Sequence, residues 1–292
     1  MNAIVGIPAF NEEQNIGKLL DFLIEDVPEE IEAVYVVSSG STDKTDEIVI
    51  SRQTKDSRIH LITEPEREGK ASAMNTLLSK AEGYEAIVCI DADHLPAPNA
   101  IKLLVEALKN DKLGVVSGRL IPVNDLNTFS GFCVHLTYNL HHLISLNAPK
   151  ISGEFMAFRT GVIKEIVHTV VNEDVYTQML FSNEGYEIGY CSEAKVSLKG
   201  PSTVREFFRQ RRRIFTGHHQ IRYLFGRVAS TMKWPGWNVI FQACPIDGVK
   251  AKFYLLAFTA LQGFALFFSI WDFLTGKVPY KWPIIESTKN IT

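Results

Sequence analysis

The sequence predicts an α/β fold: a mostly parallel sheet with helices on both faces, followed by an apolar C-terminal helical segment. Three observations carry this. Short β-branched runs alternate with helix-period segments through the first 120 residues. The strand runs are apolar throughout, as strands covered on both faces are. Residues 253–271 form an uncharged, strongly apolar run.

In chain order, residues 3–7 read as the first strand. Asn11, with Gln14 three residues on, looks like a helix cap. Ile16, Leu19, Leu20, Leu23, Ile24 and Val27 then recur at threes and fours, one apolar stripe. A strand at 33–37, a polar turn at 39–43 and a helix through Ile48 and Val49 follow. Next come a strand at 58–62, a helix over 70–81, a strand at 86–90 and a helix near 99–108. After 114–118 the pattern becomes α+β, with a helical stripe from Phe129 through Phe132, Leu136, Leu140 and Leu143 to Ile144. A strand and a helix are expected within 155–167, then a helix over 174–183 and a hairpin through Val196. Residues 205–233 carry eight basic residues and one acidic residue, Glu206.

The chain has 292 residues, 46% hydrophobic and 22% charged, which is globular chemistry and excludes collagen-like, mucin-like and disulfide-scaffold classes. A net charge of -3 gives no reason to expect nucleic acid as partner. Cys89, Cys133, Cys191 and Cys244 are too far apart for a C-x-x-C motif and read as reduced core thiols. The N-terminus lacks a basic segment followed by a long apolar one, so no signal peptide is expected and the domain is expected in the cytosol. As a helix, the 19 residues 253–271 would be about 28 Å long, close to bilayer hydrocarbon thickness. A buried core helix is the competing reading, and Gln262 and Gly263 favour it. Lys250 and Lys252 before the run, and Trp271, Tyr280 and Trp282 after it, suit interfacial anchors. The expected division is an α/β domain over 1–220 and a membrane-associated helical region over 221–292, with one C-terminal span. Asn290-Ile291-Thr292 fits a glycosylation sequon at the chain end.

In open α/β sheets ligands bind beyond the carboxyl ends of the strands. That directs attention to residues 8–12, 38–43 and 91–96, all polar and rich in turn formers. Asp91-Ala92-Asp93 directly follows an apolar strand, and two carboxylates so spaced can share a hard divalent cation that neutralises a diphosphate. Asp-x-Asp is also common in plain loops. Glu173-Asp174 precedes a helix and is either an N-terminal cap or the source of a general base. Gln210-Arg211-Arg212-Arg213 is either a solvated face or a phosphate clamp. His135 and His142, seven apart on one helix face, read as the polar side of a core or interfacial helix.

The order of these motifs resembles the family 2 glycosyltransferases with a GT-A, Rossmann-like fold, over residues 4 to about 217. Pro8-Ala9-Phe10-Asn11-Glu12-Glu13 looks like the family's opening P-x-[FY]-N-E-E, whose strand end holds the nucleotide base. Ser39-Gly40-Ser41-Thr42-Asp43 matches its D-G-S-T-D turn except at the first residue. Gly69-Lys70-Ala71 with Ala73 and Asn75 is similar to the G-K-x-x-A-x-N segment beside the donor diphosphate. Asp91-Ala92-Asp93 looks like the D-x-D metal motif, and Ser152-Gly153-Glu154-Phe155 resembles the glycine loop between donor and acceptor. Glu173-Asp174 resembles the E-D pair whose Asp is the base. There are two departures. Ser39 replaces a carboxylate expected to bond the donor base or ribose, and Gln210 to Ile214 lacks the tryptophan of Q-x-x-R-W, which weighs against processive synthesis.

The resemblance implies an inverting, metal-dependent glycosyltransferase moving a sugar from a nucleotide-diphosphate sugar to a lipid-linked or glycan acceptor. The single C-terminal span beside the basic stretch would place the cleft at the cytosolic membrane face and favours the lipid-linked acceptor. Asp174, with Glu173, is the expected catalytic carboxylate. Asp91 and Asp93, and by analogy His218, are the expected ligands of Mg or Mn. Pro8, Phe10, Glu12, Ser39, Lys70, Asp91, Gln210 and Arg213 are expected around the donor, and Gly153 and Glu154 on the acceptor side. The alternatives are a processive polysaccharide synthase subunit, a nucleotidyltransferase and a non-catalytic membrane scaffold. The acidic stretch from Pro8 to Glu12 does not suit the Gly-rich, basic phosphate loop of the second, and the presence of Asp91, Asp93, Glu173 and Asp174 does not suit the third.

Overall fold

The computed structural model describes residues 1–278, 280–281 and 285–289. Among them eight strands form one sheet: β1 (Ala3–Ala9), β2 (Ile31–Ser39), β3 (Ile59–Glu64), β4 (Ala86–Ile90), β5 (Leu95–Pro96), β6 (Leu113–Pro122), β7 (Phe155–Arg159) and β8 (Glu187–Leu198). Their order is β3-β2-β1-β4-β7-β6-β8-β5. The first half, β3 to β4, is parallel. In the second half β7 runs antiparallel to both neighbours, β6 and β8 are parallel, and β5 pairs antiparallel with β8.

Alternation along the strands builds two cores. Ala3, Val5 and Ile7 of β1 face α1 (Ile16–Asp26), α2 (Thr45–Gln53) and α4 (Ala100–Leu108), where Leu19, Leu20, Leu23, Leu104 and Leu108 are buried. Ile4 faces the other way, with Ile87 and Cys89, onto α3 (Lys70–Lys80) and α6 (Glu173–Asn183). Truncating any one of these leucines to Ala carries the usual cost of about 2–5 kcal/mol. A third core joins α5 (Phe129–Ser145), α7 (Val204–Phe225), α8 (Trp237–Ala243) and α9 (Gly248–Leu274) around Phe132, Leu136 and Phe207.

The structure departs from the sequence reading at three places. Asn11 is not a helix cap: it takes a left-handed conformation (φ 52°), and α1 begins at Ile16. Its side chain instead accepts the Thr42 N–H at 2.8 Å, tying the first strand end to the second. No helix forms over 160–167; the Asn75 side chain bonds both Ile166 N–H and Ile166 C=O, which holds that stretch as an irregular segment against α3. The expected hairpin through Val196 is one long strand, β8, because β6 beside it runs ten residues and pairs along its length. Cys89 and Cys133 are buried, Cys191 and Cys244 half-buried, and all four are free thiols.

Among the described residues α9 is the one helix long and apolar enough to cross a membrane. It extends the predicted run to 248–274 and packs along α7. Its contact face carries its polar groups: Gln262 accepts from Arg211 Nε at 3.1 Å, Ser269 meets His219, and Asp272 takes a two-pronged bond from Arg212, 2.5 Å on each side. The opposite face is a stripe of exposed Val249, Phe253, Leu256, Phe264, Phe267, Trp271 and Leu274 at spacings of three to eight. Trp234 ahead of α8, and Trp237 and Phe241 on it, are exposed as well. The anchor Trp282 and the sequon at Asn290 lie outside the described residues.

The Arg212–Asp272 clasp yields a stability prediction. Arg212→Met leaves Asp272, whose side chain is only 11% exposed, without its partner. Unfolding in detergent is expected to show a loss of up to about 3 kcal/mol, with most of it recovered by adding Asp272→Leu, because an apolar pair removes the stranded charge.

Candidate active site

The ends of β1 and β2 are laced together by loop side chains. Asn11 N–H donates to Ser41 Oγ at 3.1 Å, Glu12 N–H to Thr45 Oγ1 at 2.7 Å, and Glu13 N–H to Asp43 Oδ2 at 3.1 Å. Asp43 also accepts the Thr45 N–H at the start of α2, so this acid of the turn is structural. Gly40 sits at φ +67°, and a Cβ there would lie 2.7 Å from Arg67 N; only glycine lets the 64–69 loop approach. Ser39 is buried, accepts Glu68 N–H at 3.1 Å and donates to Glu66 C=O at 3.4 Å. The hydroxyl where a carboxylate was expected therefore pins this loop, and Arg67 from it stacks 4.2 Å over the Phe10 ring.

At the end of β4, Asp91, Asp93 and His94 bring one ligand atom each within 4.8 Å of one another. His94 Nδ1 lies 2.7 Å from Asp93 Oδ1, while its buried Nε2 has no hydrogen-bond partner among the described residues. Burial works against protonation of His94, but Asp93 and Asp91 overcome it and raise the imidazole to about 9. Two carboxylates and an imidazole fit a hard divalent cation.

Lys70, the first residue of α3, stands between this cluster and the second carboxylate pair. Its ammonium lies 2.6 Å from Asp91 Oδ1, 3.0 Å from Gly153 C=O and 3.5 Å from Glu173 Oε1. Burial opposes its charge, yet Asp91 and Glu173 outweigh that and hold it protonated. Glu154 in the same loop accepts from Tyr138 Oη at 2.9 Å and Ser152 Oγ at 2.7 Å, and its backbone C=O accepts Asp91 N–H.

Two clefts meet here. The first, about 220 Å³, takes in Pro8, Phe10, Glu12 and Ser39 from the first two strand ends, and Asp91 and Asp93 from the third. The second, about 490 Å³, is lined by Glu173, Asp174 and Gly153 and by apolar side chains of α5, α7 and α9. Lys70, Tyr138, Glu154, Gln210 and Arg213 border both. The arginine run thus divides its work: Arg213 is buried at the junction of the clefts, Arg212 clasps α9, and Arg211 bonds Gln262 and stacks 4.7 Å from the Phe215 ring centre.

Residues 4–167, more than half the chain, match the family model described as Glycosyl transferase family 2. The chain belongs to this family. Residues 86–282 also match the model of Glycosyl transferase family group 2. Among curated relatives, the poly-beta-1,6-N-acetyl-D-glucosamine synthase of Staphylococcus aureus is 25% identical over 252 residues, 81% of this chain and 59% of the relative. That of Staphylococcus epidermidis is 25% identical over 231 residues, 74% of this chain and 54% of the relative. The chain therefore spans under three-fifths of the length of these relatives. Among solved structures, a mannosyltransferase from Pyrobaculum calidifontis in complex with GDP-Man and Mn2+ aligns with TM-score 0.66 and 21% identity over 94% of this chain and 88% of that one. Glucosyl-3-phosphoglycerate synthase from Mycobacterium tuberculosis, in complex with Mn2+, UDP-Glc and phosphoglyceric acid, aligns with TM-score 0.53 and 18% identity over 85% and 81% of the two chains. These likenesses establish the GT-A fold.

Within this family 2 glycosyltransferase the two adjacent acids sit in opposite environments. Burial pushes Glu173 up to about 7, against the pull of Lys70. Burial also works on Asp174, but Lys150 Nζ at 2.5 Å and the Val175 N–H at 2.7 Å outweigh it and hold the carboxyl below the ordinary range. Environments that drive paired carboxylates apart in this way suit them to different roles. Gly153 lets the loop lie close to both acids: a Cβ there would stand 3.0 Å from Asp174 Cβ and 3.2 Å from Glu173 Oε1, so that they would have to shift by a few tenths of an ångström. Gly153→Ala is expected to slow transfer by about tenfold through this displacement, with little change in melting temperature; steady-state kinetics beside a melt checks it.

The structure does not bring His218 to the Asp91–Asp93 cluster. It lies on α7 by the second cleft, facing Lys150 and Asp174; burial first, then Lys150, drives it down to about 3, so it is neutral. His94 takes the place in the cluster, and its adjacency to Asp93 was the available signal. His135 bonds Asn124 C=O and His142 bonds Tyr190, so neither points to a metal site. The sequence reading also missed Tyr138, Lys150 and the chain at 285–289. There Lys289 donates to Phe10 C=O at 2.8 Å and pairs with the Glu12 carboxylate, while Asn15 donates to Lys289 C=O at 2.8 Å. Burial and the Asp93 charge raise Glu12 to about 7 against that Lys289 contact. No short sequence motif marks a contact between residues more than 270 positions apart.

Proposed function

We propose that this glycosyltransferase moves a sugar from a nucleoside-diphosphate sugar in the smaller cleft to an acceptor in the larger one. The observation that carries the reading is the shared border of the two clefts, with the Asp91–Asp93–His94 cluster on one side and Glu173–Asp174 on the other. The Mn2+ and nucleotide sugars named for the similar structures support it. Asp91, Asp93 and His94 would hold Mg or Mn, which when bound neutralises charge developing on the departing diphosphate. Lys70 and Arg213, with Gln210, offset phosphate charge. Asp174 accepts the proton of the acceptor hydroxyl as its oxygen attacks the anomeric carbon, with inversion.

On the acceptor side, the apolar walls and the exposed stripe of α9 support a lipid-linked acceptor reached from the cytosolic membrane face. Residues 1–220 would form the catalytic unit and 221–292 its membrane-associated region. A second reading, a glycan acceptor in polysaccharide synthesis, is favoured by the names of the Staphylococcus relatives. Product length separates the two: single addition to a lipid supports the first, a polymer the second. The donor site is tested by melting the detergent-purified chain with UDP, GDP and their sugar conjugates, with and without Mn2+. A ligand at about a hundred times its Kd stabilises by about 2.7 kcal/mol. A metal-dependent shift with one nucleotide class is the expected result, and no shift with folded protein contradicts the reading.

A further inference from the structure

The larger cleft holds a cation that belongs to none of the sequence motifs. Lys150, in the loop before β7, places its ammonium 2.5 Å from Asp174 Oδ2, with the two side chains only 11% and 16% exposed. Its backbone is fixed from two directions. Ile151 N–H donates to Gln178 Oε1 of α6 at 3.1 Å, and Lys150 C=O accepts from Ser117 Oγ of β6 at 3.4 Å. The second Asp174 oxygen accepts the Val175 N–H. Each carboxylate oxygen thus has one defined partner, and lone pairs remain for one further hydrogen bond each.

Other charged and titratable groups surround this pair. Glu173, beside Asp174 on α6, is engaged by Lys70 of α3. Arg213 of α7 faces Glu173, Glu154 and Asp174, and Arg211 of the same helix is spent on Gln262. His141 of α5 and His218 of α7 flank the pair, and burial, then Lys150, drives each down to about 3. Both are neutral, and His141 Nε2 and His218 Nδ1 are buried without a hydrogen-bond partner among the described residues.

We propose that Lys150 is a positioning residue of the acceptor site: its ammonium fixes the Asp174 carboxylate in one orientation and in its charged form, ready to receive the acceptor's proton. This rests on the reading of Asp174 as the base. In the step, the acceptor O–H gives its proton to Asp174 while its oxygen bonds the anomeric carbon. The bond from that carbon to the diphosphate oxygen breaks, and its electron pair leaves with the diphosphate. Lys150 takes no part in the proton transfer.

The test uses the full chain in detergent as wild type, Lys150→Met and Lys150→Arg, melted from pH 8 to pH 5. Removing the ammonium leaves Asp174 a buried carboxylate that keeps the Val175 N–H but has lost its ion pair, so burial outweighs what remains and its folded-state pKa rises above its unfolded value. Its cost is therefore largest at high pH and shrinks as Asp174 takes up a proton. Lys150→Met is expected to melt about 5 °C or more below wild type at pH 8. That gap should narrow steadily towards pH 5, and Lys150→Arg should restore most of it. A gap independent of pH, or none, overturns the proposal, because a packing role carries no such dependence. With any nucleotide sugar that wild type turns over, the acid limb of the Lys150→Met rate profile is expected to move up by about one pH unit or more; an unmoved limb also overturns it. Nucleotide-induced stabilisation with Mn2+ is read in parallel. Its absence from wild type refutes the donor-site reading, whatever the pH dependence of the Lys150→Met gap.

Discussion

Replacing Asp174 with Asn is expected to slow sugar transfer to a hydroxyl acceptor by about 100- to 10,000-fold while leaving donor binding intact. Asp174 borders the larger cleft and not the smaller, so its loss removes the proton acceptor without touching the groups around the nucleotide. The amide keeps the side chain's shape but cannot take a proton. It also leaves Lys150 without its charged partner, which costs about 3–5 kcal/mol of stability for a buried pair. Melting of the variant separates that loss from the chemical one, and assays are run well below its midpoint. Undiminished transfer to a hydroxyl by folded Asp174→Asn would remove Asp174 as the base.

Asp93→Asn is expected to act on the other cleft. It takes one carboxylate from a cluster of three ligand groups and weakens the contact that orients the His94 ring. Of a total nucleotide stabilisation of about 2.7 kcal/mol at a hundredfold excess over Kd, the part that depends on metal should fall to near zero. Stabilisation by nucleotide without metal should change little. Thermal shift with and without Mn2+ reads both quantities on one sample, and a full metal-dependent shift in Asp93→Asn would place the cation elsewhere.

The first half of the fold was legible because local pattern and sheet position agree there. Strands β1 to β4 are short, apolar and separated by amphipathic helices, so each element announces itself. The second half was less so. The segment through Val196 reads as a hairpin, yet it is one strand whose length is set by the ten-residue β6 beside it. The irregular run at 160–167 is held by Asn75, 91 residues away from Ile166, and no local propensity reports such a contact. Asn11 was misread for the opposite reason: its cap chemistry is genuine, but it serves the Thr42 N–H of the next strand end.

The site divides along the same line. Asp91, Asp93, Glu173 and Asp174 could be singled out because carboxylates at strand and helix ends carry chemistry in a recognisable order. What each acid does depends on its neighbours in space. Glu173 and Asp174 are adjacent in sequence, but Lys70 approaches one and Lys150 the other, from loops and helices more than 20 residues away. His218 could be linked to the cation only by analogy, and α7 carries it to the acceptor side.

The decisive measurement is release of nucleoside diphosphate from a panel of UDP- and GDP-sugars by the detergent-purified chain with Mn2+, in wild type, Asp93→Asn and Asp174→Asn. Two-cleft transfer predicts turnover of one nucleotide class by wild type. It predicts rates at least about a hundredfold lower in both variants, with nucleotide binding kept by Asp174→Asn and its metal dependence lost by Asp93→Asn. Turnover undiminished in both variants, or no turnover and no nucleotide binding by folded wild type, would contradict it.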